Sequence, residues 1–173
     1  LASNGIYEGE PLTSAAQKSM MLPTTTASVG IVAGGVKLPA NPVARANPLD
    51  KFRPVTEQMI ASPPDASWLG WRRTRDAQGY SPLKKINKKN VGQLQLAWSL
   101  ALPPGPNQAT PIAHDGVLFV HSFNDVVQAI DAVSGDILWQ YSYRLPKGIQ
   151  PTTKKSPAVL DNMLFVPTSD AHM

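Results

Sequence analysis

The sequence of 173 residues contains no cysteine. Without a thiol, the chain forms no disulfide, thiolate metal site or catalytic thiol, and attaches no c-type haem covalently. The absence does not fix the compartment, because an oxidising compartment permits disulfides without requiring them. The first residue is Leu1 rather than Met, which is typical of a processed mature chain. We therefore expect any secretory signal peptide to have been removed already.

Long apolar runs and several catalytic motifs are also missing from the sequence. The stretch VGIVAGGV at 29–36 is far shorter than the ~18 apolar residues of a membrane span, so no transmembrane segment is predicted. Its glycines lack the spacing and the following Lys-Ser/Thr of a phosphate-binding loop. No Gly-x-Ser-x-Gly nucleophile motif occurs. No aspartate has calcium-loop spacing, which leaves only a triad from the scattered His114, His121 and His172 as a metal-site alternative.

Charge is sparse, since charged residues make up 16% of the chain and the formal net charge is +4. Much of the positive charge lies between residues 72 and 89. Blocks of like charge are usually solvated surfaces, so we interpret this region as an exposed loop. Nucleic-acid binding is not predicted, because the nearby aromatic residues do not alternate with the basic ones. The basic residues are Arg72, Arg73, Arg75, Lys84, Lys85, Lys88 and Lys89.

Turn-forming residues are abundant, with 17 prolines and 12 glycines, and favour short strands over long helices. Residues 1–53 show no sustained period and are predicted to form an extended or partly disordered arm. Residues 54–92 are a lead-in segment with one short helix, capped by Thr56 and ended by Pro63-Pro64. Residues 93–173 carry the strand patterns.

Short apolar and alternating segments in this last region predict strands at 93–100, 117–122, 125–131 and 136–142. An internal repeat links two stretches 46 residues apart, TPIAHDGVLFVHS at 110–122 and SPAVLDNMLFVPT at 156–168. It places Gly116 in register with Asn162, and both residue types tolerate the positive φ of a tight turn.

Repeats of 40 to 50 residues with about four strands each indicate the blades of a β-propeller. The segment AIDAVSGDILW places Asp131 and Gly135 at a turn and Trp139 on an outer strand, where it would stack on a neighbouring blade. The predicted fold is therefore all-β, with an arc of about one to two blades: the outer strand of a closing blade, a first blade and the start of a second. Because one blade cannot bury its own faces, we expect an arc or one piece of a longer or split ring. The alternative is a complete small β domain.

Four segments occur in a fixed order along the chain: WRRTRDAQGYSPLKKINKKNVGQLQLAWSLAL, NQATPIAHDGVLFVHS, AIDAVSGDILW and SPAVLDNMLFVPTSDAHM. The series resembles the N-terminal part of the eight-bladed quinoprotein alcohol dehydrogenases, which carry pyrroloquinoline quinone (PQQ). It covers about residues 55 to 173 and is most similar to the branches that act on bulky or polymeric alcohols. The resemblance implies a periplasmic enzyme that oxidises alcohols by hydride transfer to the quinone.

The resemblance also implies site residues. In the family a Glu that contacts the quinone stands three residues before a Pro, and here that position is Gln108, which is neutral. An Arg that pairs with the cofactor is replaced by Lys155, which keeps the charge but loses the bidentate fork. The paired cysteines of several branches correspond to about Ile149 and Gln150. We expect Gln108 and Lys155 to bind the cofactor, and solvated surface residues are the alternative for both.

The resemblance places the catalytic Asp and the ligands of Ca²⁺ or a lanthanide outside this chain, so no catalytic or metal-ligating residue is predicted within it. The expected partners are the remaining blades or a second chain, an alcohol, and cytochrome c or another electron acceptor. A haem c on another domain or chain is compatible with the family. Two alternative functions stay open: a protein-binding propeller scaffold, and a propeller that has lost its quinone.

Overall fold

The computed structural model describes residues 46–172, so most of the arm predicted over 1–53 lies outside the described residues. Short antiparallel strands dominate, and the single α-helix described, α1, spans Glu57–Ala61. Three 3₁₀ turns span Pro48–Lys51, Val91–Gln93 and Phe123–Asp125. The strands are β1 (Ile112–His114), β2 (Val117–Ser122), β3 (Val126–Asp131), β4 (Ile137–Ser142), β5 (Ala158–Leu160) and β6 (Met163–Phe165).

Strands β1 to β4 form one four-stranded antiparallel meander in chain order. The predictions at 117–122, 125–131 and 136–142 are confirmed to within one residue. Strand β3 is buried along its whole length, whereas the last half of β4 is exposed. A central strand covered on both faces beside a half-exposed outer strand is the arrangement of a propeller blade.

Strands β5 and β6 form a second antiparallel sheet, in which Leu160 pairs with Met163. They start 46 residues after β1 and β2, as the repeat predicts. The two hairpin turns match at their first residue, where Asp115 has φ 46° and Asp161 has φ 55°. Gly116 also has positive φ, whereas Asn162 is not among the described residues that do. The aspartates, rather than the Gly and Asn pair, therefore carry the shared turn geometry.

The hydrophobic core joins the two sheets and the lead-in segment. Its buried members include Ile112 and Phe119 of the first sheet, Val159 of the second, and Val55 and Leu69 of the lead-in segment. Burying a side chain of this size contributes about 1.5–3 kcal/mol relative to leaving it exposed. The two sheets are thus held in one apolar cluster.

The lead-in segment is fastened across the hairpin turns of both sheets. Val55 exchanges backbone hydrogen bonds with Asp161, and Trp68 does so with Ala113. The Arg53 side chain donates to both carboxylate oxygens of Asp115, at 2.7 and 2.9 Å. Helix α1 begins as predicted, because the Thr56 Oγ1 accepts from the Met59 amide and satisfies one of the free donors of the first turn.

The strand predicted at 93–100 is wrong. Residues 94–110 contain no strand, and Leu94 and Leu96 are 60% and 83% exposed. An alternating segment becomes a strand only when another strand lies beside it, and none of the strands within residues 46–172 pairs with this segment. The Trp98 side chain attaches it to the turn between β3 and β4, where the indole Nε1 donates to the Ala132 carbonyl at 3.2 Å.

The AIDAVSGDILW segment forms the turn that was predicted from its spacing. The Asp131 carboxylate accepts from the Val133 and Ser134 amides, and the Gly135 amide donates to the Asp131 carbonyl. Gly135 has φ 79° and lies beneath the Trp98 indole, where a β-carbon would come within 2.6 Å of the ring. Position 135 therefore requires glycine for two reasons, its positive φ and the lack of space for a β-carbon.

Trp139 packs against the core, with its ring centroid 6.1 Å from that of Phe119. The tryptophan that covers the turn of this motif is Trp98, which lies 41 residues earlier in the chain. The stacking of Trp139 on a further blade stays a prediction.

The basic region is an exposed loop, as predicted, with one exception. Six of its seven basic side chains are exposed, but Arg73 is half-buried. The Arg73 guanidinium donates to the carbonyls of Pro63 and Pro64 at 2.9 and 3.3 Å. This residue therefore anchors the loop instead of belonging to its solvated face.

We predict that Gly135→Ala destabilises the protein by about 1–3 kcal/mol, since it forces a methyl group into the Trp98 ring and strains the backbone. Gly148→Ala is the matched control, because Gly148 also has positive φ (92°) but open space around its α-carbon. Thermal unfolding should show the larger loss for Gly135→Ala. Equal losses would mean that the indole contact contributes nothing.

Candidate functional site

The candidate site lies at one end of the two sheets. Strands β1 and β5 both begin there, and the turn Phe123–Asp125 that joins β2 to β3 lies there too. The other end carries the Asp115 and Asp161 turns and the lead-in segment. We call the first the site end and define it by residues 107–110, 122–126, 152–156 and 169. Antiparallel pairing places the start of each sheet at this end, and the packing of the two sheets brings the segments together.

The two predicted cofactor residues, Gln108 and Lys155, both lie at the site end and both are exposed. Their segments are joined by one hydrogen bond, from the Thr110 amide to the Ser156 Oγ at 2.9 Å. Neither predicted side chain is recorded in a hydrogen bond or ion pair within residues 46–172. An exposed amide and an exposed ammonium at adjacent strand starts can bind an anionic group with hydrogen-bond acceptors.

The two consecutive lysines point to opposite sides of the chain. Lys154 is 2% exposed, although its neighbour Lys155 is exposed. Such alternation is the ordinary geometry of extended backbone, in which successive side chains face opposite ways. One lysine therefore enters the protein while the next faces outwards.

The buried Lys154 amine meets the buried carboxylate of Asp125 at 2.6 Å. The same carboxylate accepts from the Ser169 amide at 3.0 Å and from the Ser169 Oγ at 2.6 Å. The Ser169 Oγ also contacts the Lys154 amine and accepts from the Thr152 amide at 3.1 Å. We call Asp125, Lys154 and Ser169 the inter-sheet clamp, since Asp125 belongs to the first sheet and the other two flank the second.

His121 extends this polar cluster. It is 1% exposed, and its Nδ1 lies 3.2 Å from the Lys155 carbonyl oxygen. A hydrogen bond there requires the proton on Nδ1. Its Nε2 lies 3.8 Å from Asp125 Oδ1 and has no hydrogen-bond partner among the described residues. Burial lowers the pKa of His121 from its ordinary value of 6.5, so the ring is neutral at pH 7.

The remaining histidines have separate surroundings. His114 is buried at the opposite end, between the Ser67 Oγ at 2.9 Å and the Arg53 carbonyl at 3.1 Å. His172 is exposed and pairs with Asp170 at 3.1 Å. No group of three or more metal-ligating side chains occurs within residues 46–172. The triad of His114, His121 and His172 is therefore not assembled.

Ser67, His114 and Asp115 also resemble a catalytic triad in composition, yet they perform a structural task. Ser67 is only 4% exposed, so no substrate reaches its hydroxyl. The His114 Nε2 contacts the Arg53 carbonyl at 3.1 Å, closer than the Asp115 carboxylate at 3.4 Å. The group thus connects the lead-in segment to β1.

The clamp was not predicted from the sequence. Its only signal was the Lys-Lys pair directly before a strand, because alternation along an extended segment must bury one of the two. Nothing local indicated that Asp125, at 29 residues' distance, or Ser169 would meet the buried amine. Such contacts depend on how the two sheets pack.

Comparison with known proteins agrees with this architecture. Residues 68–169 match the profile of a family described as PQQ: glucose/ethanol/alcohol dehydrogenase, beta-propeller domain. The chain belongs to this PQQ propeller family. The match covers more than half of the chain and includes both sheets and the site end.

Relatives of the PQQ propeller family include the dehydrogenase subunit of a quinone alcohol dehydrogenase from Komagataeibacter europaeus. It is 35% identical over 113 residues, which are 62% of this chain and 15% of that protein. Quinohemoprotein alcohol dehydrogenase ADH-IIG from Pseudomonas putida is 46% identical over 76 residues, 43% of this chain and 11% of that protein. The chain therefore spans about 15% of the length of the curated relatives it matches.

Two solved structures share the fold of this chain. The structure of ADHIIG from Pseudomonas putida HK5 superposes with a TM-score of 0.58 at 34% identity, covering 68% of this chain and 18% of that one. A europium-containing methanol dehydrogenase gives a TM-score of 0.57 at 24% identity, over 65% and 21% of the two chains, and this is a likeness of fold alone. In the described range, no helix is long and apolar enough to cross a membrane.

Breaking the clamp on one side should destabilise the protein strongly. We predict that Lys154→Met lowers the free energy of unfolding by about 3–5 kcal/mol, because the Asp125 carboxylate stays buried without its counter-ion. The double variant Asp125→Asn, Lys154→Met should recover much of this loss, since Asn keeps an acceptor for Ser169 and tolerates the φ of 52° at position 125. Chemical denaturation measures both, and a double variant no more stable than Lys154→Met would contradict the account.

The two buried histidines predict a pH dependence. Burial lowers the pKa of both His114 and His121 below 6.5. Because the unfolded state then binds more protons, their contribution to stability is complete above pH 6.5 and is lost as pH falls towards the folded-state values. Asp170 does not interfere, because its hydrogen bonds, chiefly from Thr168, hold its pKa at about 2.

The measurement is the free energy of unfolding at pH 7.5 and pH 5.5 for the wild type and for His114→Gln, His121→Gln. The wild type should lose more stability between the two pH values than the variant. An equal loss in both proteins would assign the dependence to other groups.

Proposed function

We propose that this chain forms the first part of a PQQ-dependent alcohol dehydrogenase and that its site end contributes to the quinone pocket. The observation that supports the proposal most directly is the location of Gln108 and Lys155. Both are exposed, and they lie in the segments before β1 and β5, which the Thr110–Ser156 hydrogen bond joins. Both residues stand at positions of the family pattern at which the cofactor is bound. Their presence at one end of the two sheets is what a shared ligand requires.

The residues of the site end fit an anionic quinone. PQQ carries carboxylates and carbonyl oxygens, which need cations and hydrogen-bond donors. The Lys154 charge is balanced by Asp125, whereas no ion pair to Lys155 is formed within residues 46–172. Lys155 is therefore the cation that remains for a carboxylate. The amide of Gln108 supplies a neutral donor, in place of the charge of a Glu.

When bound, the quinone supplies the acceptor for a hydride from the alcohol carbon. In the proposed enzyme Lys155 holds the anionic rim of the cofactor and Gln108 orients it through its amide. The catalytic base and the ligands of Ca²⁺ or a lanthanide would come from other blades, in a longer chain or a second one. Cytochrome c or another acceptor would take the electrons, with haem c on another domain or chain. We place the enzyme in the periplasm.

A second candidate function is a propeller that binds proteins or keeps the fold without a quinone. Specific observations favour it: the neutral Gln108 where the family has Glu, and Ile149 and Gln150 where several branches have paired cysteines. This candidate predicts no PQQ uptake by the folded protein. The enzyme and the scaffold are thus separated by one binding measurement.

The test uses the full-length protein, supplied with PQQ and Ca²⁺ and assayed for dye reduction with primary and secondary alcohols. We expect saturable PQQ binding and alcohol-dependent dye reduction. Lys155→Ala should weaken PQQ binding by about ten- to a hundredfold, the effect of one charged hydrogen bond. The control is Lys147→Ala, an exposed lysine of the same β4–β5 connection, which should bind PQQ as the wild type does.

If the folded wild type takes up no PQQ, the proposal of an enzyme is wrong and the scaffold is favoured. Normal PQQ affinity in Lys155→Ala would instead show that the cofactor is held elsewhere.

A further inference from the structure

We propose that the inter-sheet clamp is a positioning device for Lys155, so that Asp125, Lys154 and Ser169 act on the cofactor site without touching the cofactor. This inference rests on the proposed function of Lys155. It assigns a functional reason to a buried ion pair, a feature that is weak evidence for stability on its own.

The clamp fixes the backbone on the near side of Lys155. The Lys154 side chain, 1% exposed, is held by the Asp125 carboxylate, which is 0% exposed, at 2.6 Å. Such a buried pair resists rearrangement, because breaking it leaves two buried charges without partners. Turning Lys154 outwards would expose its buried stem and break the pair, so Lys155 stays on the outward side while the pair holds.

Two further contacts fix the backbone at and after Lys155. The His121 Nδ1 lies 3.2 Å from the Lys155 carbonyl, and the Ser156 Oγ accepts from the Thr110 amide at 2.9 Å. His121 and Thr110 both belong to the first sheet or its approach. Residues 154–156 are thus attached to the first sheet or its approach at three consecutive positions, although they lead into the second sheet.

The clamp compensates for the flexibility of the Lys155 side chain. A lysine has a flexible four-carbon stem and makes point-charge contacts, whereas the Arg of the family pattern has a planar fork. A fixed backbone lowers the number of positions the ammonium samples before it meets a ligand, and such preorganisation raises affinity. If the clamp only stabilised the fold, its removal would not change how much Lys155 contributes to cofactor affinity.

The experiment is a double-mutant cycle on PQQ affinity in the full-length protein. Four proteins are compared. They are the wild type, Lys155→Ala, the neutral clamp pair (Asp125→Asn with Lys154→Met), and the variant that carries all three changes. Affinity is measured by titration on folded protein, followed by the absorbance of the quinone. Hydrogen exchange of residues 152–158 without PQQ reports the order of the backbone separately. Lys147→Ala in both backgrounds is the control.

We expect the neutral clamp pair to weaken PQQ binding by about tenfold and to speed exchange at residues 152–158. In that background Lys155→Ala should cost about threefold or less, against ten- to a hundredfold in the wild type. Such coupling is what positioning predicts, and a uniform loss of stability does not produce it.

Two results would overturn the clamp's role while leaving the proposed function intact. One is an equal factor for Lys155→Ala in both backgrounds, and the other is wild-type PQQ affinity in the neutral clamp pair. Failure of the wild type to bind PQQ, or of Lys155→Ala to weaken binding, would remove the proposed cofactor contact and the positioning role with it. Each outcome is identified by a different arm of the cycle.

Discussion

The carboxylate of Asp125 is the constraint on which the site end depends. It is wholly buried, and burial of a charge costs free energy unless partners replace the lost water. Here it receives the Lys154 amine and both donors of Ser169. Lys154 precedes the second sheet and Ser169 follows it. By binding the Asp125 carboxylate, these two residues hold both ends of the second sheet against the first sheet.

The two ends of the sheets are built from different chemistry. At the end opposite the site, the lead-in segment pairs its backbone with the hairpin turns, and Arg53 pairs with Asp115. Beneath it, the T-shaped packing of Phe52 on Phe119 continues into the core, with centroids 5.7 Å apart. This end is held by backbone hydrogen bonds, aromatic packing and an ion pair whose arginine is exposed. The site end is fastened by charge, and it leaves Gln108 and Lys155 exposed.

A neutral His121 fits this division. Its imidazole lies between the Lys155 carbonyl and the charged pair, and a second positive charge beside Lys154 would be unfavourable. Burial keeps it uncharged at neutral pH, so it can connect the two sheets without adding charge. The clamp and the histidine therefore form one buried polar unit at the site end.

Local patterns predicted much of the fold. The 46-residue repeat gave β5 and β6, and the spacing of Asp131 and Gly135 gave the turn between β3 and β4, because turn chemistry is a local property. The strand predicted at 93–100 was wrong, since strand formation depends on a neighbour as well as on alternation. The exposure of Gln108 and Lys155 agrees with the site predicted from the family pattern, which stays a prediction.

The clamp could not be predicted, because Lys154 and Asp125 meet only after two sheets have packed. For the same reason the sequence did not indicate that Trp98, rather than Trp139, covers Gly135. Both contacts are tertiary, and their partners are separated by about 30 to 40 residues.

The central claim is that the end of the sheets which presents Gln108 and Lys155 holds the quinone. The most direct test is an experimental structure of the full-length protein with bound PQQ. The account predicts density for the quinone within hydrogen-bond distance of the Lys155 amine and the Gln108 amide, above an intact Asp125–Lys154 pair. Quinone density at the Asp115 and Asp161 turns, or a Lys155 amine directed away from a bound quinone, would contradict it.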